Sequence, residues 1–412
     1  MSSSGAVTSL EGARRHDEQD PLGAFRDRFV EPSDGAIVAY LDGNSLGRPP
    51  KATLEKLTTL VTDDWGNRLI RSWSEGWMEL PLRIGDQLAA AVLGAAPGQV
   101  VVADSTTVCL YKLLRAAAAL RPGRTEIITD SQNFPTDSYL VEGVAAELGL
   151  TVRVIDPDPA AGATVEQVAA LLSERTAVVT LSHTAYRSAY IADMPAITAL
   201  VHEHGALVVW DLCHSVGAMP LRLDECGVDF AAGCTYKFLN AGPGAPAFLY
   251  VREAHQKAFQ QPIWGWMGHQ EPFVMTPGYR PSTGMRRALS GTPPITGLIG
   301  VAEGTALVAE AGIDRIRAKA IELTELVVRL ADQWLVPHGV RLASPRDPQR
   351  RGAHVTITHP DAPAMSRRLI DAGVLIDHRA PDGIRFGLSP LTTSFAETWR
   401  AMEVIREVAA QR

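Results

Sequence analysis

Cysteine is scarce: the 412 residues contain four, Cys109, Cys213, Cys226 and Cys234, with no CxxC pair and no metal-ligand spacing. A disulfide framework is thereby excluded, no metal is expected, and the thiols are expected to be reduced, as in a cytoplasmic protein. Positive charge is in deficit, with 39 Lys and Arg against 46 Asp and Glu and a formal net charge of -7. A nucleic-acid backbone would gain no general electrostatic support from such a chain. No run of about 18 apolar residues occurs, and the start, MSSSGAVTSLEGARRHDEQDP, lacks the apolar core of a signal peptide. Membrane spanning and export are both disfavoured.

With 46% hydrophobic and 21% charged residues, the composition is that of a folded globular chain. At this length a single core usually divides, so two domains are expected. Residues 1 to about 20 read as a mobile polar arm, and AIVAYLDGNSLGRPP then leads into a helix from about Lys51. From Gln99 onward, short β-rich runs alternate with helices: QVVVAD, TEIITD, TVRVID, TAVVTLS and ALVVWD, separated by helical stretches of roughly ten to fifteen residues. Two further apolar runs fall between Val228 and Val251. This is the pattern of an α/β fold with a mainly parallel sheet covered on both faces. The Gly-, Pro- and Trp-rich stretch from Trp264 to Pro294 has no clear periodicity, and irregular segments of that length are usually functional. Long helical stretches then lead into a smaller α+β tail.

Lys237, in GCTYKFLNAGPG, follows an apolar strand and opens a Gly-rich loop; Asp211 stands directly after ALVVW. A carboxylate there projects from the C-terminal edge of a parallel sheet, although it would serve equally as a helix N-cap. Pyridoxal phosphate requires such a pair: a lysine that condenses with its aldehyde, and an acid that keeps its ring nitrogen protonated. Asp104-Ser105-Thr106-Thr107 stands between a strand and a helix, where backbone N–H groups favour a phosphate or are simply capped by hydroxyls. Phe134, in NFPTD, either stacks on a flat cofactor or packs. His202 and His204, two apart on a helix, point to different faces and make no metal pair. Arg286 and Arg287 lie in a basic run where solvent exposure is the default.

Eight ordered motifs over residues 25 to 400 are similar to those of the kynureninase family: LDGNSLGRPP at 41–50, WGNRLIRSW at 65–73, NFPTD at 133–137, DLCHSVG at 211–217, TYKFLNAGPG at 235–244, GWMGH at 265–269, GTPPI at 291–295 and RFGLSPL at 385–391. The resemblance implies a fold-type-I, pyridoxal 5'-phosphate-dependent hydrolase converting L-kynurenine and water to anthranilate and L-alanine. It implies a large cofactor domain over about 61–300 with a seven-stranded sheet, a small α+β domain over 301–412, and a segment 21–60 joining the latter. By the same resemblance Lys237 holds the cofactor, Asp211 pairs with its ring nitrogen and Phe134 covers its face. Thr106 and Thr107 meet its phosphate, while Asp137, Ser182, His214 and Tyr236 complete the shell. Trp266 and Thr292 would reach the neighbouring subunit's site across a homodimer interface, and Arg385 would grip the substrate carboxylate. Lys237, Tyr236 and Asp211 are the implied catalytic residues.

Two positions depart from the family pattern. Met267 occupies a place usually aromatic, which would alter the walls around the substrate ring and makes a substituted ring such as 3-hydroxykynurenine an alternative substrate. Cys109 stands where asparagine is common. Trp73 lines the same ring pocket or packs in the core.

Overall fold

The computed structural model describes residues 7–33 and 35–411. Its first element is helix α1 (Leu10–Glu18), capped by Ser9, whose side chain accepts from the Gly12 N–H. Part of the stretch expected to be a mobile arm is therefore ordered; residues 1–6 lie outside the described residues. The docking of α1 is largely polar, which hydropathy does not register: only Ala13 of the helix is buried. The Asp17 carboxylate instead accepts from the Phe395 and Ala396 N–H groups at 2.7 and 2.9 Å, at the start of the last helix. An acidic side chain at a helix N-terminus is held by both hydrogen bonds and the helix dipole.

Strand β1 (Ala39–Tyr40), α2 (Lys51–Thr59) and α3 (Leu80–Leu88) precede the large sheet. That sheet and its helices follow as β2 (Val100–Val102), α4 (Thr106–Ala119), β3 (Glu126–Asp130), α5 (Pro135–Leu148), β4 (Thr151–Ile155), α6 (Val165–Leu171), β5 (Thr176–Ser182), α7 (Met194–Glu203), β6 (Leu207–Asp211), β7 (Phe230–Gly233) and β8 (Phe248–Val251). The spatial order is β2-β8-β7-β6-β5-β3-β4, with β8 antiparallel to both neighbours and the other pairs parallel. The predicted α/β class and mainly parallel seven-stranded sheet are both present.

Strands β2, β5 and β6 are Val-rich runs because both faces are covered. Along β6, Val208 and Trp210 enter the core on one face, and Leu207 and Val209 the core on the other, the period of two that a strand imposes. Edge strand β4 differs. Its mixed exposure and Arg153 suit an unpaired margin.

After the short helix α8 (Glu253–Gln256) and the irregular segment come α9 (Ile295–Ala311) and α10 (Ile313–Leu330). Then follow β9 (Arg341–Leu342), β10 (His354–Thr358), α11 (Ala362–Asp371), β11 (Val374–Leu375), β12 (Asp377–Arg379), β13 (Gly383–Gly387) and α12 (Phe395–Ala410). Four of these strands form an antiparallel sheet in the order β12-β13-β10-β9, and β11 pairs in parallel with β1. We place the domain boundary at Gly312, between α9 and α10, rather than near residue 300: Leu298, Val301, Leu307 and Val308 pack in the large core, whereas Leu323, Leu326 and Val327 pack with the small sheet.

One feature of α9 bears on the site. Gly297, Gly300 and Gly304 lie along one face, and a Cβ at Gly300 or Gly304 would collide with the carbonyl oxygens of Ala241 and Leu239. The helix backbone thus rests directly on the loop that follows Lys237. No single helix among the described residues is long and apolar enough to cross a membrane; α9 with the helical stretch after it passes on composition only as a pair bent by 83°.

Candidate active site

The C-terminal ends of the parallel strands gather the predicted residues. Ser182, the last residue of β5, is the register partner of Asp211, the last residue of β6. Ser182 Oγ lies 2.9 Å from Asp211 Oδ2 and 2.7 Å from Asn133 Oδ1, with one proton to give. Asp211 Oδ1 accepts from the Cys213 N–H at 2.9 Å, the N-cap-like contact foreseen for this aspartate. Beyond β7, Lys237 Nζ lies 3.0 Å from His214 Nε2. Where Lys237 donates, the imidazole proton sits on Nδ1, and that buried nitrogen has no protein partner.

Electrostatics distinguishes these groups. Burial, then the neighbouring Asp211 charge, pushes the Asp137 carboxyl well above the usual range, with Lys237 opposing. Burial, followed by the cationic Lys237 and Arg385, pushes His214 well below its ordinary value, so the ring is neutral near pH 7. Tyr236 is raised by burial and by Cys234 and Cys213, which keeps its hydroxyl protonated and able to donate.

Arg385, on β13, is fully buried and lies in register with Asp377 on β12. Its Nη2 donates to Asp377 Oδ2 at 2.6 Å and Ser45 Oγ at 3.0 Å, and its Nη1 to the Tyr186 carbonyl at 2.6 Å. With the Asn44 amide turned to suit its neighbours, the Asn44 oxygen accepts from Arg385 Nε at 2.8 Å. The motif LDGNSLG therefore meets RFGLSPL in space. Phe134 is half-exposed at the start of α5 and packs edge-to-face on Tyr186, with centroids 5.4 Å apart. Thr106 and Thr107 open α4, where the first N–H groups lack intrahelical partners.

Three expectations change or remain separate. Met267 is fully buried in the apolar cluster behind α4, with Cys109 and Met285, because the short helical turn Trp266–Gly268 folds it inward. Trp73, partly buried, packs against the same cluster and edge-to-face on Trp77. Trp266 and the exposed Thr292 belong to the irregular segment, where Trp264, Trp266, His269 and Tyr279 line an open cavity of about 330 Å³. Arg287 is a structural clamp, donating to the Ser282, Gln256, Lys257 and Phe259 carbonyls, and Arg286 pairs with Glu79. No cluster of three or more metal-ligating side chains occurs among the described residues.

Sequence reasoning passed over Asn133 and His354. Asn133 opens the NFPTD motif, next to Phe134. His354 had no local signal: only the fold brings its ring to 5.2 Å from that of His214.

The arrangement fits pyridoxal phosphate. Asp211 and Asp137 are buried carboxylates facing one lysine, the buried His214 Nδ1 has no protein partner, and a helix N-terminus stands on the same sheet edge. Comparison with known proteins agrees. Residues 316–405 match the family model "Kynureninase C-terminal domain", and residues 87–222 match the DegT/DnrJ/EryC1/StrS aminotransferase family. The chain is 43% identical over 399 residues to the kynureninase of Pseudomonas fluorescens, covering 95% of this chain and 93% of the relative. It is 41% identical over 411 residues to that of Burkholderia pseudomallei strain 1106a, covering 98% and 96%. Among solved structures, the cysteine desulfurase of Thermococcus onnurineus NA1 superposes with a TM-score of 0.80 at 19% identity, over 90% of this chain and 94% of that one. A C-DES variant with glycine covalently linked to its PLP cofactor gives 0.81 at 20% identity, over 93% and 99%. At that identity the two structures speak to the fold alone.

Proposed function

The chain belongs to the kynureninase family of pyridoxal-phosphate-dependent hydrolases, and on that premise we propose how its own residues carry out the cleavage of L-kynurenine by water to anthranilate and L-alanine. When bound, pyridoxal phosphate supplies the electron sink for breaking the Cβ–Cγ bond. Lys237 would hold the cofactor, and its free amine would take the substrate α-proton as general base. Asp211, fixed by Ser182 and Cys213, keeps a protonated ring nitrogen paired. Tyr236 gives up its proton to the carbon that becomes the alanine methyl group. Thr106 and Thr107 receive the phosphate, Phe134 covers the ring, and His214 and Asp137 complete the pocket. The observation that carries this reading is the side-by-side register of Ser182 and Asp211 with Lys237 and His214 in contact beyond them.

Arg385 is assigned the substrate α-carboxylate, because its planar fork is held rigid by Asp377, Ser45 and the Tyr186 carbonyl. Arg385→Lys keeps the charge and loses the fork. The expected result in steady-state kinetics is a fall in kcat/KM of about tenfold or more, the cost of one charged hydrogen bond, with cofactor absorbance unchanged.

The functional unit is a homodimer with Trp266 and Thr292 contributing across its interface. Two exposed apolar groups support this: Leu54, Trp65, Leu69 and Ile70 beside α2, and Trp264, Phe273 and Met275 in the irregular segment, with Ile70 78% exposed. The reaction itself is tested by incubating the enzyme with L-kynurenine and 3-hydroxykynurenine and quantifying each anthranilate with alanine. Stoichiometric anthranilate and alanine are expected from kynurenine; alanine formed only from the hydroxylated substrate would reassign the enzyme to substituted rings.

A further inference from the structure

Lys112 lies on the second turn of α4 with no exposed surface. A buried lysine has few reasons to persist unless its charge is used. Its Nζ donates to Asp104 Oδ2 at 2.6 Å and to the Ala288 carbonyl at 2.7 Å. Asp104 directly precedes the Ser105 cap of α4; its backbone is left-handed, with φ of 55°, and its carbonyl accepts from the Ala247 N–H. The Asp104 carboxylate is about a quarter exposed.

A carboxylate is thus stationed two residues before Thr106, where the helix start assigned to the cofactor's phosphate begins. Unopposed, it would repel that anion, since like charges placed close together are penalised heavily where water is partly excluded. The ammonium beneath it removes the conflict from inside the protein. Its second bond, to Ala288, reaches the short turn Gly284–Ala288, just ahead of Thr292.

We propose that Lys112 is a positioning residue for phosphate binding: it neutralises the Asp104 carboxylate so that the turn opening α4 can accept a phosphate monoester. The proposal rests on the reading that Thr106 and Thr107 receive the phosphate. Lys112 touches no ligand and acts through Asp104.

The test compares two aldehydes that differ only in the phosphate. The holoenzyme is resolved to apoenzyme and titrated with pyridoxal 5'-phosphate and with pyridoxal, following the visible absorbance of each bound form. Wild type is expected to prefer the phosphorylated aldehyde. Lys112→Met, of similar volume, is expected to lower that preference about tenfold or more, as an uncompensated like charge would. The double variant Lys112→Met with Asp104→Asn is expected to recover most of it. A single variant that keeps the wild-type preference, or loses affinity for both aldehydes equally, overturns the proposal, as does a double variant with no recovery. Should Lys112→Met fail to fold, the double variant, which buries no unpaired charge, decides: a preference near wild type sustains the proposal and its loss overturns it. A wild type that does not distinguish the aldehydes refutes the phosphate reading itself, and the proposal with it, before any variant is made.

Discussion

Lys237→Ala is expected to abolish turnover and to yield a protein whose visible cofactor band disappears and whose cofactor is removed by dialysis. The chain has six lysines, Lys51, Lys56, Lys112, Lys237, Lys257 and Lys319. Lys51, Lys56 and Lys257 are exposed. Lys112 is buried against Asp104 and Lys319 against Asp20, each in an ion pair of 2.6 Å. Only Lys237 extends toward Asp211, Asp137 and His214. No other lysine has both the access and the partners to take over. Far-ultraviolet circular dichroism should be unchanged, because truncating Lys237 removes no core contact. A retained visible band in the dialysed variant would place the cofactor on another lysine and dissolve the site as drawn.

Asp211→Asn should bind cofactor yet turn over roughly a thousandfold more slowly, equivalent to about 4 kcal/mol of barrier. The amide fits the space. Its oxygen still accepts from the Cys213 N–H, and its NH₂ faces Ser182 Oγ, which then donates to Asn133 alone. What the amide lacks is charge, and a neutral group holds a ring nitrogen protonated far less well than a carboxylate. Single-turnover absorbance measurements separate loss of chemistry from loss of cofactor. Near-normal turnover in a fully loaded variant would remove Asp211 from its role.

The parts of the site that were legible in sequence are those whose chemistry is written locally. A Val-rich strand ending in Asp211 and a Gly-rich loop after Lys237 each constrain the backbone around a reactive group, and the order of motifs did the rest. Asn133 was within reach, since it sits in the same turn as Phe134. His354, Asp377 and Tyr186 were not, because strand pairing and the meeting of the small sheet with the large one bring them to His214, Arg385 and Phe134. In the fold, alternation along β6 was readable, whereas α1 was mistaken for a loose arm because its attachment uses the Asp17 carboxylate on two N–H groups of α12 rather than an apolar stripe. Met267 shows the opposite limit: its place in the motif is legible locally, whereas its burial in the apolar cluster behind α4 is set by the turn that carries it.

The three glycines of α9 leave the lysine's platform no room to retreat, because helix backbone and loop backbone already touch through Gly300 and Gly304. On the proposed reading, Lys237 both holds the cofactor and takes the substrate α-proton, so its amine must nevertheless travel. Here the whole excursion has to come from rotation about the bonds of the Lys237 side chain, a four-carbon tether on a fixed mooring. The role proposed for Lys237 accordingly asks for mobility at one side chain while the main chain beneath it stays still.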